Sequence, residues 1–155
     1  MKHRLMSPYL KQWEKCIQIE LKFWSGWILA KGLEWKDDFE KRIDPFLKAD
    51  KIISELLDKN ISVPRILDVG SGPLSSFPKF LIDGRRIDLV AIDALAVDYN
   101  KLLEKINVSP LILTKKGLAE QLSSYFEAES FDFIYMRNTL DHTYDPFTVI
   151  DEMLV

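Results

Sequence analysis

The sequence predicts an α/β fold in which a parallel sheet follows an N-terminal helical extension. Four apolar runs after residue 60 alternate with helical segments, and a glycine-rich turn directly follows the first run. Before residue 60 the apolar residues recur only at helical spacing. Strands joined by helices pair in parallel through right-handed crossovers. We therefore expect a helical extension over residues 1–60 and an α/β domain over residues 61–155.

The N-terminal extension predicts three helices. The first has an apolar stripe, with Ser7 as its cap and Pro8 in its first turn; the stripe comprises Leu10, Trp13, Ile17, Leu21, Trp24 and Ile28. Further helices are expected over Lys36–Ile43 and Phe46–Asp58. All four tryptophans lie in this extension. They predict either core packing against the sheet or a lid over a ligand, and periodicity does not separate the two.

The α/β part has a regular order of elements. Strands are expected at Arg65–Val69, Ile87–Ile92, Leu111–Thr114 and Phe131–Met136. Helices are expected at Leu74–Ile82, Val97–Ile106, Ala119–Phe126 and from Pro146 onward, with Asp145 as the cap of the last one. The strand over 131–136 is apolar on both faces, which predicts a buried parallel strand.

A glycine turn follows the first strand and is the most informative segment of the chain. Residues 66–73 read ILDVGSGP, with Asp68 two positions before Gly70. Glycine allows a sharp turn and close approach of a ligand to the backbone. A helix after the turn would present free N–H groups to polar or anionic atoms. The segment therefore predicts a nucleotide-type cofactor site.

Asp93 ends the second strand, 21 residues after Gly72. A carboxylate at this position and spacing accepts hydrogen bonds from a ribose diol, although Asp93 is also readable as a plain helix cap. The glycine turn and Asp93 together are compatible with a site for a dinucleotide or for S-adenosylmethionine. Ser75 stands where the dinucleotide fingerprint has its third glycine, and Asp68 would place negative charge near a pyrophosphate. These departures favour the sulfonium cofactor.

Four motifs together resemble those of the class I S-adenosylmethionine-dependent methyltransferases, over about residues 64–155. ILDVGSGP is similar to their first motif, and LVAIDAL at 89–95 to the motif of the second strand. Residues 117–120, GLAE, resemble the stretch that borders the adenine. FDFIYMRNTLDHTYDP at 131–146 is similar to the motif of the fourth strand. Leu118 departs from the family, because an acid commonly bonds the adenine amino group there.

The resemblance implies a Rossmann-like sheet and methyl transfer from S-adenosyl-L-methionine to a small-molecule acceptor. The cofactor-binding residues it implies are Asp68, Gly70, Ser71, Gly72, Pro73, Asp93, Ala94, Leu118, Ala119, Glu120, Arg137 and Asn138. Because of Leu118, adenine recognition is expected to use backbone groups and apolar contact. The alternatives are a non-catalytic cofactor-binding or interaction module and, less favoured, an NAD(P)-dependent oxidoreductase.

Candidate catalytic residues follow the fourth strand. A base is needed only if the acceptor loses a proton, and His142 has the side chain suited to that work at neutral pH. His142 is also readable as a loop or cap histidine. Asp141 is the second candidate, although adjacent side chains on a regular element should diverge. Cys16 and the two histidines lack the spacing of metal ligands, so no metal is expected.

Composition and length narrow the partners. The net charge of −3 argues against a nucleic-acid-binding surface. A single cysteine fits a reducing cytoplasm, and no apolar run approaches a membrane span or signal sequence. The family's sheet has seven strands, whereas four are visible here, so the sheet is expected to be incomplete. We expect either a second copy of the chain or a further C-terminal segment to cover the open edge of the 131–136 strand.

Overall fold

The protein forms an α/β structure with an all-parallel sheet of four strands, as the sequence predicts. The computed structural model describes residues 8–154, so the predicted Ser7 cap lies outside the described residues. The strands are β1 (Arg65–Val69), β2 (Asp88–Asp93), β3 (Lys115–Lys116) and β4 (Phe133–Met136). The helices are α1 (Pro8–Leu29), α2 (Lys36–Ile43), α3 (Lys51–Leu56), α4 (Ala96–Lys105) and α5 (Pro146–Met153), with 3₁₀ turns at Ala119–Ser124 and Leu140–His142.

The strand order is β3-β2-β1-β4, which brings the ends of three strands together. Val69 at the end of β1 lies opposite Ile92 of β2 and Met136 of β4. The segments that leave these strands therefore emerge at one edge of the sheet. The chain passes from β1 to β2 on one side and later returns to β4 on the other side of β1. Ligands of open α/β sheets bind at such a switch point.

Apolar side chains cover both faces of the sheet. On one face Ile66 and Leu89 pack with Phe77 and Leu81 from the segment between β1 and β2. On the other face Leu67, Val69 and Ile92 pack with Leu122 and with Val149 of α5. Side chains of β4 are only half-buried on both faces. The sequence predicts a buried strand here, and the half-buried side chains of β4 correct that prediction. Among residues 8–154 this strand pairs only with β1.

A third core cluster joins the N-terminal helices to α4. Trp27 and Ile28 of α1 and Phe39 of α2 are buried against Tyr99 and Leu103 of α4. Packing thereby fixes the C-terminal part of α1. Each fully buried aromatic or aliphatic side chain contributes about 1.5–3 kcal/mol to the stability of the fold. None of the helices within residues 8–154 is long and apolar enough to cross a bilayer.

The predicted helix over Leu74–Ile82 is absent. Residues 71–87 instead follow an irregular path in which Phe80 bridges to Lys48 and to Arg86. Pro78 lacks an N–H and disfavours helical geometry at the residue before it. The side chain of Ser75 also accepts from the Phe77 N–H at 3.1 Å, an alternative to a helical bond. The expected helix N-terminus after the glycine turn is therefore not formed.

Other elements differ from their predicted positions. Strand β4 begins at Phe133 rather than at Phe131, and β2 and α4 are each shifted by one residue. The third strand lies at Lys115–Lys116 rather than at 111–114, because Thr114 turns inward to bond the glycine turn. Helix α3 begins only at Lys51, because Asp50 caps it by accepting from the Ile53 N–H at 2.9 Å. The helix predicted over 119–126 is a 3₁₀ helix with a kink at Gln121. Helix α2 has the predicted bounds.

Candidate active site

A cavity of about 1090 Å³ opens at the edge of the sheet where β1, β2 and β4 end. The glycine turn, the end of β2, residues 117–120 and the segment after β4 line it from the sheet side. Helix α1 lines it from the opposite side. The cavity therefore lies at the topological switch point, between the sheet and the N-terminal helix.

The glycine turn is held by backbone bonds and by left-handed residues. Gly70 and Gly72 both have φ of +68°, which other residues rarely adopt. The N–H groups of Gly70 and Ser71 donate to Ile92 O at 2.9 and 3.1 Å. Gly72 N–H donates to an Asp93 oxygen at 3.0 Å. All three N–H groups of the turn are thus used within the protein, and Pro73 has none to offer.

The floor beneath the turn contains a residue that the sequence analysis missed. Thr114 is buried, and its hydroxyl lies 3.2 Å from both the Ser71 hydroxyl and Gly72 O. Asn100 of α4 donates to Thr114 O at 2.9 Å. These bonds tie the turn to β3 and to α4. The signal available in the sequence was the polar Thr114 directly after the apolar residues 111–113.

Asp93 links the end of β2 to the glycine turn. One carboxylate oxygen accepts from Gly72 N–H, and the other accepts from Leu95 N–H at 2.8 Å. Burial raises the pKa of Asp93, and the two backbone N–H groups oppose that rise. A carboxylate has about four acceptor positions. Asp93 therefore retains capacity for two further hydrogen bonds at the cavity wall.

Asp68 is a buried carboxylate in the floor of the cavity. Its partner is the Ser75 hydroxyl, which donates at 2.5 Å. Burial raises the pKa of Asp68 to about 6, and the bond from Ser75 and the charges of Arg42 and Lys79 counteract part of that rise. Burial likewise lowers the pKa of Lys79 to about 8. A positively charged group entering the cavity would stabilise the ionised form of Asp68.

The wall formed by residues 117–120 is apolar on one side and acidic at its end. Leu118 and Ala119 line the cavity, and Glu120 is buried. Glu120 accepts from the Tyr144 N–H at 2.9 Å and so holds the segment after β4. Burial raises the pKa of Glu120, while backbone N–H donors oppose the rise. Glu120 therefore positions the wall of the site.

The segment after β4 places its polar residues around the mouth. Arg137, Asn138, Asp141 and His142 all line the cavity. Asn138 has φ of +52°, a left-handed turn that this residue type tolerates. Asp141 and His142 do not diverge as expected, because the 3₁₀ turn brings Asp141 Oδ2 to 3.5 Å from His142 Nε2.

Helix α1 closes the opposite side of the cavity. The Trp24 indole lies over Gly72, with Cζ2 about 3.5 Å from where a Cβ on that glycine would be. Trp13 contacts Tyr144 edge to face, with ring centroids 5.7 Å apart. Glu20 Oε1 lies 3.0 Å from His142 Nδ1. Trp27 is thus a core residue, whereas Trp13 and Trp24 form part of the site.

Arg42 of α2 holds the N-terminal helices against the sheet side of the cavity. Its guanidinium donates to Leu74 O at 2.6 Å and pairs with Asp38 at 2.7 Å. The same group lies over Trp24 and Trp27, 5.6 and 5.4 Å from the ring centroids. Arg42 therefore joins α1 and α2 to the irregular segment that follows the glycine turn.

The cavity brings together every predicted site residue except Pro73, which does not line it. Sequence reasoning left Trp13 and Trp24 open between core packing and a lid. It missed the polar residues that come from α1 and α2, among them Cys16, Glu20, Asp38 and Arg42. Their helical periodicity gave no signal of which side faces a ligand. Among residues 8–154, no three histidine, cysteine or acidic side chains are grouped to hold a metal ion.

The fold and this arrangement define a methyltransferase. Residues 67–154 match the family model described as a methyltransferase domain, which is a class I S-adenosylmethionine-dependent family. The match covers more than half of the chain, and the protein belongs to this family. No curated protein and no solved structure matches the chain significantly.

Proposed function

We propose that the protein transfers a methyl group from S-adenosyl-L-methionine to a small-molecule acceptor. The observation that carries this proposal is the shared cavity. The four motif segments and helix α1 line one space between them. S-adenosylmethionine supplies an electrophilic methyl group when bound, and the protein's task is then to align an acceptor with it and exclude water.

The size and closure of the cavity favour a small acceptor. Pockets for single small molecules measure about 300–1,000 Å³, and this cavity has about 1090 Å³. That volume suits a cofactor together with a small second molecule. Contacts from Trp13 and Glu20 to the segment after β4 narrow the mouth. A large macromolecular acceptor would have to displace α1.

The residues present fit this cofactor. Asp93 has acceptor capacity for a ribose diol, and buried Asp68 favours a cationic group nearby. Leu118 and Ala119 offer an apolar wall for the adenine, and Asn138, which has a left-handed backbone, also lines the cavity. These assignments use the family's motif positions and the side chains that line the cavity.

The site is poorly suited to a dinucleotide. A diphosphate binds to free backbone N–H groups at a glycine turn and helix N-terminus. Here the N–H groups of Gly70, Ser71 and Gly72 already donate within the protein, and residues 71–87 contain no helix. This argues against the NAD(P)-dependent alternative.

Two measurements test the proposal. Isothermal titration calorimetry with S-adenosylhomocysteine and, separately, NADH should give binding of the first only. A ligand that binds the native state at a hundredfold excess over its Kd should also raise stability by about 2.7 kcal/mol. Incubation with methyl-labelled cofactor and a metabolite extract should then label low-molecular-weight products. Binding without any methyl transfer would instead support the non-catalytic module, and absence of binding would refute both.

A further inference from the structure

A close contact connects the N-terminal helix to the candidate base. Glu20 of α1 places Oε1 at 3.0 Å from His142 Nδ1, on the segment that follows β4. The Glu20 side chain is 32% exposed, and that of His142 is 46% exposed. Both residues line the cavity. The contact therefore lies at the mouth of the cavity, where both side chains stay partly exposed.

This contact determines which imidazole nitrogen carries a proton. Glu20 Oε1 lies within hydrogen-bonding distance of His142 Nδ1, and because a carboxylate only accepts, this contact favours a proton on Nδ1. A neutral imidazole has one N–H, which leaves the lone pair on Nε2. Asp141 lies 3.5 Å from Nε2, but its side chain is 78% exposed, so water screens its charge. Glu20 is thus the stronger partner and orients the ring.

Other titratable groups line the same cavity, among them Asp38 and Arg42 of α2 and Asp93 at the end of β2. Cys16 comes from α1, Arg137 from the end of β4, and Tyr144 from the segment after it. Glu120 already accepts from the Tyr144 N–H. Asp68 lies in the floor beside the glycine turn, where burial raises its pKa to about 6. The kinetic test must therefore separate His142 from Asp68.

The apolar surroundings indicate what kind of acceptor would reach this base. Trp13 and Tyr144 form an edge-to-face pair, and Ile17 lines the same side of the cavity. Glu20 of the same helix already contacts His142. An apolar body that carries a hydroxyl would satisfy both the aromatic wall and the Nε2 lone pair.

We propose that Glu20 is a positioning residue that holds His142 as a general base, and that the acceptor is a small apolar molecule methylated on a hydroxyl oxygen. This inference rests on the proposed methyl transfer. The hydroxyl oxygen forms a bond to the methyl carbon as the carbon–sulfur bond breaks. The electron pair of that bond stays on sulfur, which becomes a neutral thioether. The hydroxyl proton passes to Nε2 of His142.

The first test uses the free protein and needs no substrate. Nitrogen-15 NMR of the imidazole should show the Nδ1–H tautomer for His142 in the neutral ring, and His142→Gln identifies its signals because the chain has only two histidines. Glu20→Ala should lose that tautomer. Glu14→Ala is the matched control, since Glu14 is an exposed residue of the same helix and does not line the cavity. An Nε2–H tautomer in the unmodified protein would overturn the inference.

The second test is kinetic, with methyl-labelled cofactor and a panel of hydroxyl and amine compounds of similar shape. Transfer should be to oxygen, and His142→Gln should lower kcat by on the order of 10²–10⁴. Glu20→Ala should lower kcat about tenfold with little change in KM, and Glu20→Asp should recover part of the loss. The decline of kcat toward acidic pH should disappear in His142→Gln but persist in Asp68→Asn. Glu14→Ala should behave as the unmodified protein.

The outcomes separate the two proposals. Failure to bind S-adenosylhomocysteine would refute methyl transfer itself. Binding with normal turnover in His142→Gln and Glu20→Ala would overturn only the base assignment. Methylation of nitrogen with no methylation of oxygen would overturn the acceptor class.

Discussion

The backbone N–H of Gly72 donates to the Asp93 carboxylate at 3.0 Å, which joins the glycine turn after β1 to the acid at the end of β2. The two motif segments are thus one physical unit. Asp93 serves the turn with one oxygen and Leu95 with the other. A cofactor ribose would add to these bonds rather than replace them.

Asp93→Asn should weaken binding of S-adenosylhomocysteine by at least tenfold. The amide keeps the shape of the side chain but removes its charge, and bonds to charged groups contribute about 1.5–3 kcal/mol. Asp98→Asn is the control, because Asp98 is exposed in the first turn of α4 and does not line the cavity. Calorimetry measures both affinities. Equal affinities for the two variants would show that Asp93 does not hold the ribose.

Gly70→Ala should destabilise the fold more than Gly84→Ala. Both glycines have positive φ, which costs another residue about 1–2 kcal/mol. A Cβ at Gly84 meets nothing within 4 Å, whereas a Cβ at Gly70 overlaps the side chain of Thr139. The overlap should add about 1–3 kcal/mol. Urea denaturation gives both values.

The steric part of this effect can be isolated with Thr139→Gly. In the Gly70→Ala background this second change removes the overlapping atoms, so the two substitutions should couple favourably. Their summed individual costs should therefore exceed the cost of the double variant. Additive costs would mean that the backbone conformation alone accounts for Gly70.

The bounds of several helices and strands were predictable because they depend on local sequence. The bounds of β1 follow from an apolar run that ends at a glycine turn, and α2 ends shortly before Pro45. The path of residues 71–87 was mispredicted because the apolar spacing from Leu74 to Ile82 outweighed the effect of Pro78. A strand as short as β3 has no periodicity to detect. Its position depends on Thr114 bonding a distant turn.

The residues of the candidate site likewise include some that local sequence predicts and others that only the packing of the helices reveals. Asp68, Asp93 and His142 stand next to glycine turns or strand ends, where chemistry is expected. Glu20 and Arg42 lie on helices whose charges look like an ordinary solvated face. Their roles arise from where α1 and α2 pack, and that packing depends on the contact of Trp27 and Phe39 with Tyr99 of α4. Sequence periodicity identifies an apolar face but not its partner.

The buried Asp68 should make the fold less stable as pH rises. Its pKa is about 6 in the folded protein and 3.8 as the ordinary value, so the folded state holds the proton more tightly. Stability from this group is therefore present below about pH 4 and is lost as pH rises to about 6, by roughly 3 kcal/mol. Asp68→Asn should flatten the decline and be the more stable protein at pH 7.

Denaturation at pH 4, 5, 6 and 7 measures this effect. Asp98→Asn should retain the slope of the unmodified protein, since it alters only an exposed carboxylate. Lys79 does not interfere, because its lowered pKa of about 8 affects stability only at higher pH. An Asp68→Asn variant with an unchanged slope would contradict the burial argument.

Arg42→Lys should destabilise the protein by about 1–3 kcal/mol. Lysine does not reproduce the planar group that bonds Leu74 O and Asp38 while stacking on Trp24 and Trp27. Lys41→Arg is the control, because Lys41 is exposed one position earlier in α2. Tryptophan fluorescence during denaturation follows both variants. If Arg42→Lys lost no more stability than the control, the contacts of Arg42 would not stabilise the fold.

The surface around β4 should drive self-association. Among residues 8–154, β4 pairs with β1 alone, and unpaired strand edges favour pairing with another chain. The neighbouring helix α5 and its end expose Phe147 and Leu154, at 82% and 80%.

Light scattering should show a mass that rises with concentration and falls toward the monomer in Phe147→Asp/Leu154→Asp. Phe46→Asp is the control, because Phe46 is 75% exposed in the segment before α3. Hydrogen exchange at the β4 amides should slow as the mass rises. A concentration-independent monomer, or an equal effect of the control, would refute association through this surface.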